Sequence, residues 1–133
     1  MNRPRILLAD DHQLMLERVT TLLESAFDVV GVARNGLEMV SEALRLQPDV
    51  IVADISMPAL SGIDATHQLH EMGSTAKVVF LTIHVSDEFV DACLAEGALG
   101  YVTKSHMKTD LIPAVRAALA GQSFISSPSK PCV

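Results

Sequence analysis

Five short apolar runs recur along the chain about every two dozen residues: Ile6 to Ala9, Phe27 to Ala33, Val50 to Ala53, Val78 to Leu81 and Leu99 to Val102. Each is continuously apolar rather than alternating, the pattern of a strand buried on both faces. Between the runs, apolar residues return at helical spacing: Met15, Val19, Leu22 and Leu23, then Leu37, Val40 and Leu44, and later Leu111, Val115 and Leu119. Asn35 followed by Glu38 has the form of a capping box, Ser86 suits a helix N-cap, and Gly97 and Gly121 stand where helices end. Strand and helix therefore alternate five times. That order predicts a parallel sheet with right-handed crossovers, covered by helices on both faces as a three-layer α/β domain.

In a doubly wound sheet, ligands bind beyond the carboxyl ends of the strands, where the strand order reverses. Strand one runs into Asp10-Asp11, strand three into Asp54, strand four into Thr82 and strand five into Lys104, whereas strand two leaves through the turn signal Arg34-Asn35-Gly36. A strand order of 2-1-3-4-5 brings Asp10, Asp11 and Asp54 into one pocket. Crowded carboxylates repel, so three of them against one lysine call for a further cation. Hard oxygen ligands in that number suit magnesium, whose usual companion is a phosphoryl group. Asp54 is then the candidate nucleophile, because a carboxylate can form an aspartyl phosphate. Lys104 and the Thr82 hydroxyl are candidates to hold the transferred group. Each residue alone has a plainer reading, Asp11 as a helix cap and Thr82 or Lys104 as ordinary loop residues. The agreement of four strand exits is what favours a site.

Composition removes other classes. A length of 133 residues, 49% hydrophobic, builds one domain with a real core. The apolar runs are too short to cross a bilayer and no secretory h-region opens the chain, so a cytoplasmic protein without a membrane role is expected. Cys93 in a helical pattern reads as a small buried hydrophobe and Cys132 as a tail residue, with no disulfide between them. A net charge of -6 opposes nucleic-acid binding through this chain. His12, His67, His70, His84 and His106 show no metal-ligand motif and read as surface residues. After Gly121 the chain gains Ser and Pro and loses periodicity, so the compact domain is expected to end near Ile125, with 126–133 opening a linker or tail.

These residues resemble the receiver domain of bacterial two-component response regulators from about Arg5 to Ser126. The matching pieces are Ile-Leu-Leu-Ala-Asp10-Asp11-His, Pro-Asp-Val-Ile-Val-Ala-Asp54-Ile-Ser-Met-Pro58-Ala-Leu-Ser-Gly62, Val-Val-Phe-Leu-Thr82 and Gly97-Ala-Leu-Gly100-Tyr101-Val-Thr-Lys104, in that order and spacing. The stretch from Asp110 to Ser126 is similar to the NarL/FixJ, or LuxR-type, subfamily. Its members usually continue into a helix-turn-helix DNA-binding domain, which this sequence does not include.

The resemblance implies a flavodoxin-like (βα)5 fold and a phosphoacceptor, not a turnover enzyme beyond its own phosphoryl transfer and autodephosphorylation. It implies that Asp54 takes phosphate from a sensor histidine kinase, with magnesium on Asp11, Asp54 and the Ser56 backbone carbonyl and with Asp10 reached through water. It further implies a switch made by Thr82 and Tyr101, an output that is most often transcription, and a homodimer formed on phosphorylation. Ser56 and His84 stand where the family tunes phosphoryl lifetime. Ser105, not proline, follows Lys104, so no cis bond is expected there, and Ile83 is bulkier than the small residue common after the switch threonine. Alternatives are a single-domain regulator, a magnesium-dependent phosphohydrolase and a flavin carrier of the same topology. Against the phosphohydrolase, Asp10-Asp11 lacks the Asp-x-Asp spacing of the haloacid-dehalogenase type. Against the flavin carrier, an acidic loop is a poor seat for a flavin phosphate.

Overall fold

The computed structural model describes residues 3–83 and 87–125. His84 and Ser86, for which roles were expected, lie outside the described residues, as does the tail from 126 onward. The strands are β1 (Arg5–Ala9), β2 (Asp28–Ala33), β3 (Val50–Ala53), β4 (Lys77–Thr82), β5 (Gly100–Thr103) and β6 (Phe124–Ile125). The helices are α1 (Gln13–Glu24), α2 (Gly36–Leu46), α3 (Gly62–Glu71), α4 (Asp87–Ala95) and α5 (Met107–Leu119), with a 3-10 turn, Lys104–His106, leading into α5. One parallel sheet runs in the order β2-β1-β3-β4-β5-β6. This is the flavodoxin-like α/β arrangement, with one strand more than the sequence reading expected.

Strand alternation divides the core into two clusters. Ile6, Leu8, Val50, Val52, Val79, Leu81 and Val102 face α1 and α5, while Leu7, Ala9, Ile51, Ala53, Val78, Phe80 and Tyr101 face the helices that carry Met39, Ala65 and Cys93. Strands β1, β3, β4 and β5 are buried almost throughout, as continuous apolar runs require. Strand β2 departs from that expectation. It lies at the sheet edge, and Asp28 and Val32 are exposed.

The sixth strand was not expected from the sequence, although it lies within the domain limit placed near Ile125. Phe124 and Ile125 pair with Gly100 and Tyr101, and the Phe124 amide donates to the Leu99 carbonyl at 2.8 Å. Two residues are too few to show a period, so the strand left no trace in the pattern. The α2 stripe also differs. Met39, Val40 and Ala43 are buried, while Leu37 and Leu44 are exposed by 58% and 41%. Leu119 in α5 likewise stands partly exposed.

The helix ends expected at Asn35, Gly97 and Gly121 are present. The Asn35 side chain accepts from the Glu38 amide at 2.8 Å, and the Glu38 carboxylate accepts from the Arg34 amide at 2.9 Å, one residue earlier than a standard capping box. Gly97 and Gly121 adopt φ of 86° and 75°, the left-handed conformation that ends a helix without a Cβ penalty. Two other glycines bring loops together at the carboxyl end of the sheet. A Cβ on Gly62 would sit 2.0 Å from the Asp54 carbonyl oxygen, and one on Gly36 would sit 2.0 Å from that of Leu60.

Candidate functional site

The apolar residues of β1 and β3 are held in register, Ala9 beside Ala53. The next residue of each strand, Asp10 and Asp54, is therefore delivered to the same end of the sheet. The Asp54 amide donates to the Ala9 carbonyl at 2.8 Å, and the Asp10 amide to that of Ala33 at 3.0 Å. Both side chains are buried, with relative exposures of 6% for Asp10 and 5% for Asp54. Lys104, at the exit of β5, donates from Nζ to Asp10 Oδ2 at 2.8 Å and to Asp54 Oδ2 at 3.0 Å. Burial pulls the Lys104 ammonium down, but its bonds to the two carboxylates outweigh that, and its pKa lies above 10.5.

The remaining carboxylate oxygens are also engaged. Asp54 Oδ1 accepts the Ile55 amide at 2.7 Å. Asp10 Oδ1 accepts the His12 amide at 2.9 Å, which folds the Asp10-Asp11-His12 turn back on itself ahead of α1. The His12 ring Nδ1 lies 3.2 Å from Asp10 Oδ1 and 3.1 Å from Asp11 Oδ1. Asp10, Asp11, His12 and Asp54 each offer a ligand atom, all within 4.8 Å of one another. Asp11 is thus no helix cap. His12 occupies the N-cap of α1.

Thr82 is fully buried at the end of β4, paired with Thr103 of β5. The Thr103 hydroxyl lies 3.1 Å from His106 Nδ1 and 3.4 Å from Ser105 Oγ, bracing the turn that carries Lys104. Ser56 is exposed in the loop after β3. Tyr101 is 1% exposed within the cluster that holds Phe80 and Cys93, and burial pushes its phenol up to about 12, with Cys93 adding to the shift. Burial likewise raises the Cys93 thiol to about 12, the environment of an inert packing residue. No peptide bond is cis among the described residues.

Asp10, Asp11, Asp54 and Lys104, picked from separate strand exits, thus come together at one end of the sheet. His12 is exposed, as the sequence reading had it, but sequence reasoning missed that its ring lies against Asp10 and Asp11. Its place directly after the Asp pair was the available signal. It also missed Thr103, whose bracing role depends on a turn geometry that no motif announces.

The family model for the response regulator receiver domain matches residues 6–116. The chain is 37% identical to the response regulator GacA of Pseudomonas viridiflava over 124 residues, which are 92% of this chain and 58% of that protein. It is 36% identical to the transcriptional regulatory protein LiaR of Bacillus subtilis (strain 168), over 92% of this chain and 59% of LiaR. The chain thus spans little more than half the length of these relatives. Among solved structures, a LuxR-family two-component response regulator from Aurantimonas sp. SI85-9A1 superposes with a TM-score of 0.89 at 32% identity, covering 96% of this chain and 91% of the other. With the acidic cluster at the end of the sheet and a match over nearly its whole length, the chain belongs to the response regulator receiver domain family.

Proposed function

We propose that Asp54 is the phosphoacceptor of this receiver domain. The observation that carries the reading is the pairing of two buried carboxylates, Asp10 and Asp54, through one lysine at the carboxyl ends of adjacent strands. Transfer from a phosphohistidine breaks the donor's P–N bond and forms a P–O bond to the Asp54 carboxylate, while the donor ring, already carrying a proton on its other nitrogen, leaves as neutral imidazole. Lys104, 3.0 Å from Asp54 Oδ2, is placed to balance charge on the incoming oxygens, and Thr82 at the end of β4 is the candidate to hydrogen-bond one of them.

The site's chemistry fits a hard divalent cation, since three carboxylates outnumber the one ammonium beside them. Asp11, Asp54 and the Ser56 carbonyl would hold magnesium, with Asp10 reached through water; when bound, the ion shields the acceptor from the incoming phosphoryl charge. A sensor histidine kinase is the proposed donor. Tyr101 and Thr82 are the proposed switch, which phosphorylation biases by adding charge and acceptors at one point. The output we propose is control of transcription, exercised with a DNA-binding region outside this sequence and with a homodimer formed on phosphorylation, in a cytoplasmic protein. The likeness to transcriptional regulators such as LiaR supports this.

Intact-mass spectrometry after incubation with magnesium and acetyl phosphate tests the reading. The expected result is one labile phosphoryl adduct, absent from Asp54→Asn. Continuous turnover of the donor without an adduct would instead favour a phosphohydrolase.

A further inference from the structure

We propose that β6 is a latch on Tyr101, with Ile125 as the positioning residue that keeps the ring buried, so that the buried ring and the paired strand are gained and lost together. The inference rests on reading Tyr101 as a switch residue. Its first support is the register of the sheet. Ala33, Ala9, Ala53, Phe80, Tyr101 and Ile125 pair one after another across all six strands. Residues paired on neighbouring parallel strands project to the same face, about 4.8 Å apart, so these six form one row. Asp10 and Asp54 directly follow two members of the row, which therefore runs immediately beneath the acidic pair. The first five are at most 2% exposed, and Ile125, at 40%, closes the row at the sheet edge.

The second support is what β6 does for the ring. Without it β5 would be the edge strand, and one flank of Tyr101 would face solvent. With it the ring is 1% exposed, flanked in the register by Phe80 and Ile125 and clustered with Val90 and Cys93 of α4. The third support is how the strand is held. Gly121 ends α5 at φ 75°, and the Gln122 amide donates to the Ala117 carbonyl at 2.8 Å, which turns the chain back toward β5. Phe124 then packs on the α5 side of the sheet, while Ile125, the next residue, takes the Tyr101 side. A strand this short opens at low cost, without unfolding the domain. A DNA-binding region that follows β6 would thus be tied to the state of Tyr101, and by reciprocity any change in β6 pairing acts back on the ring.

Tyr101 is the one tyrosine in a chain without tryptophan, so tyrosine fluorescence reports on that ring alone. The test uses the full chain, acrylamide quenching of that fluorescence, and exchange of the Phe124 amide, which donates to the Leu99 carbonyl. Both are measured with and without magnesium and beryllium fluoride, a phosphoryl mimic. Ile125→Ser should raise quenching several-fold and speed Phe124 exchange about tenfold, the effect of losing a partly buried aliphatic side chain. Leu44→Ser, at a residue equally exposed on α2, should change neither. In the wild type the mimic should shift quenching and exchange in the same sense. If Ile125→Ser leaves quenching unchanged, or the mimic moves Tyr101 without moving Phe124 exchange, β6 is only an edge strand and the latch is overturned alone. If the mimic binds in an Asp54-dependent way and moves neither, the switch reading of Tyr101 falls with it.

Discussion

Lys104 is the cation that pairs with both Asp10 and Asp54 where they are buried at one end of the sheet. Removing one partner of such a group costs far more than the group contributes net, because the remaining charges are left buried and uncompensated. Lys104→Gln should therefore lower stability by about 3 kcal/mol in urea denaturation without divalent ions, and millimolar magnesium should restore part of the loss. An unchanged midpoint would show that the carboxylates do not need the ammonium. Because the folded pKa of Lys104 is raised, its contribution is fully present below pH 10.5 and is lost as the pH rises through that raised value. Backbone crowding acts on the same loop. Gly62→Ala forces a Cβ to within 2.0 Å of the Asp54 carbonyl oxygen and should cost roughly 3 kcal/mol or more, whereas Gly73→Ala, at φ 83° with nothing near, should cost about 1 kcal/mol. Chemical denaturation of the two variants measures the difference, and equal losses would contradict the role given to Gly62.

Among the elements, α3 is tied to the end of α4 through His67. Its Nδ1 lies 2.8 Å from Glu96 and its Nε2 3.0 Å from Glu71. The hydrogen bond to Glu96 is the main cause of a raised histidine pKa, with the charges of Glu96, Glu71 and Asp64 adding to it. The tie is therefore strongest below pH 6.5 and fades as the pH rises through the raised value. Proton NMR should give a His67 midpoint above 6.5 that moves back toward 6.5 in Glu96→Gln; identical midpoints would remove the tie. The sixth strand is an element with few contacts of its own. Phe124 packs partly against the cluster containing Leu111 and Val115 and hydrogen-bonds to Leu99. Phe124→Ala should cost about 1.5 kcal/mol, well below a fully buried phenylalanine, and should raise amide exchange at Gly100 and Tyr101, the residues β6 pairs with. Unchanged exchange there would mean that β6 adds nothing to the β5 edge.

For the whole molecule, an ion that binds only the folded chain stabilises it by mass action, by about 2.7 kcal/mol at one hundred times its dissociation constant. Thermal unfolding should therefore shift upward with magnesium in the wild type and much less in Asp54→Asn; equal shifts would place the ion elsewhere. The order of strands and helices was legible in the sequence because hydrophobic period, capping boxes and terminal glycines are local properties, set by residues within a turn or two of each other. The polar and charged residues at the strand exits were legible for the same reason, since Asp10, Asp54 and Thr82 follow directly on an apolar run and Asp11 and Lys104 come one residue later. What the sequence left open depends on contacts between distant segments. The rotation of α2 that buries Met39 and exposes Leu37, the edge position that leaves Val32 in solvent, and the two-residue β6 are settled by which surfaces meet when the helices close over the sheet. The bond from Lys104 to Asp10 spans 94 residues, and the His12 ring reaches its carboxylates only because the backbone after β1 turns back on Asp10. By itself the sequence determined the elements and the charged residues at their ends; the tertiary structure decided which of those charges share a pocket, because their meeting depends on strand register and loop closure, which no local pattern encodes.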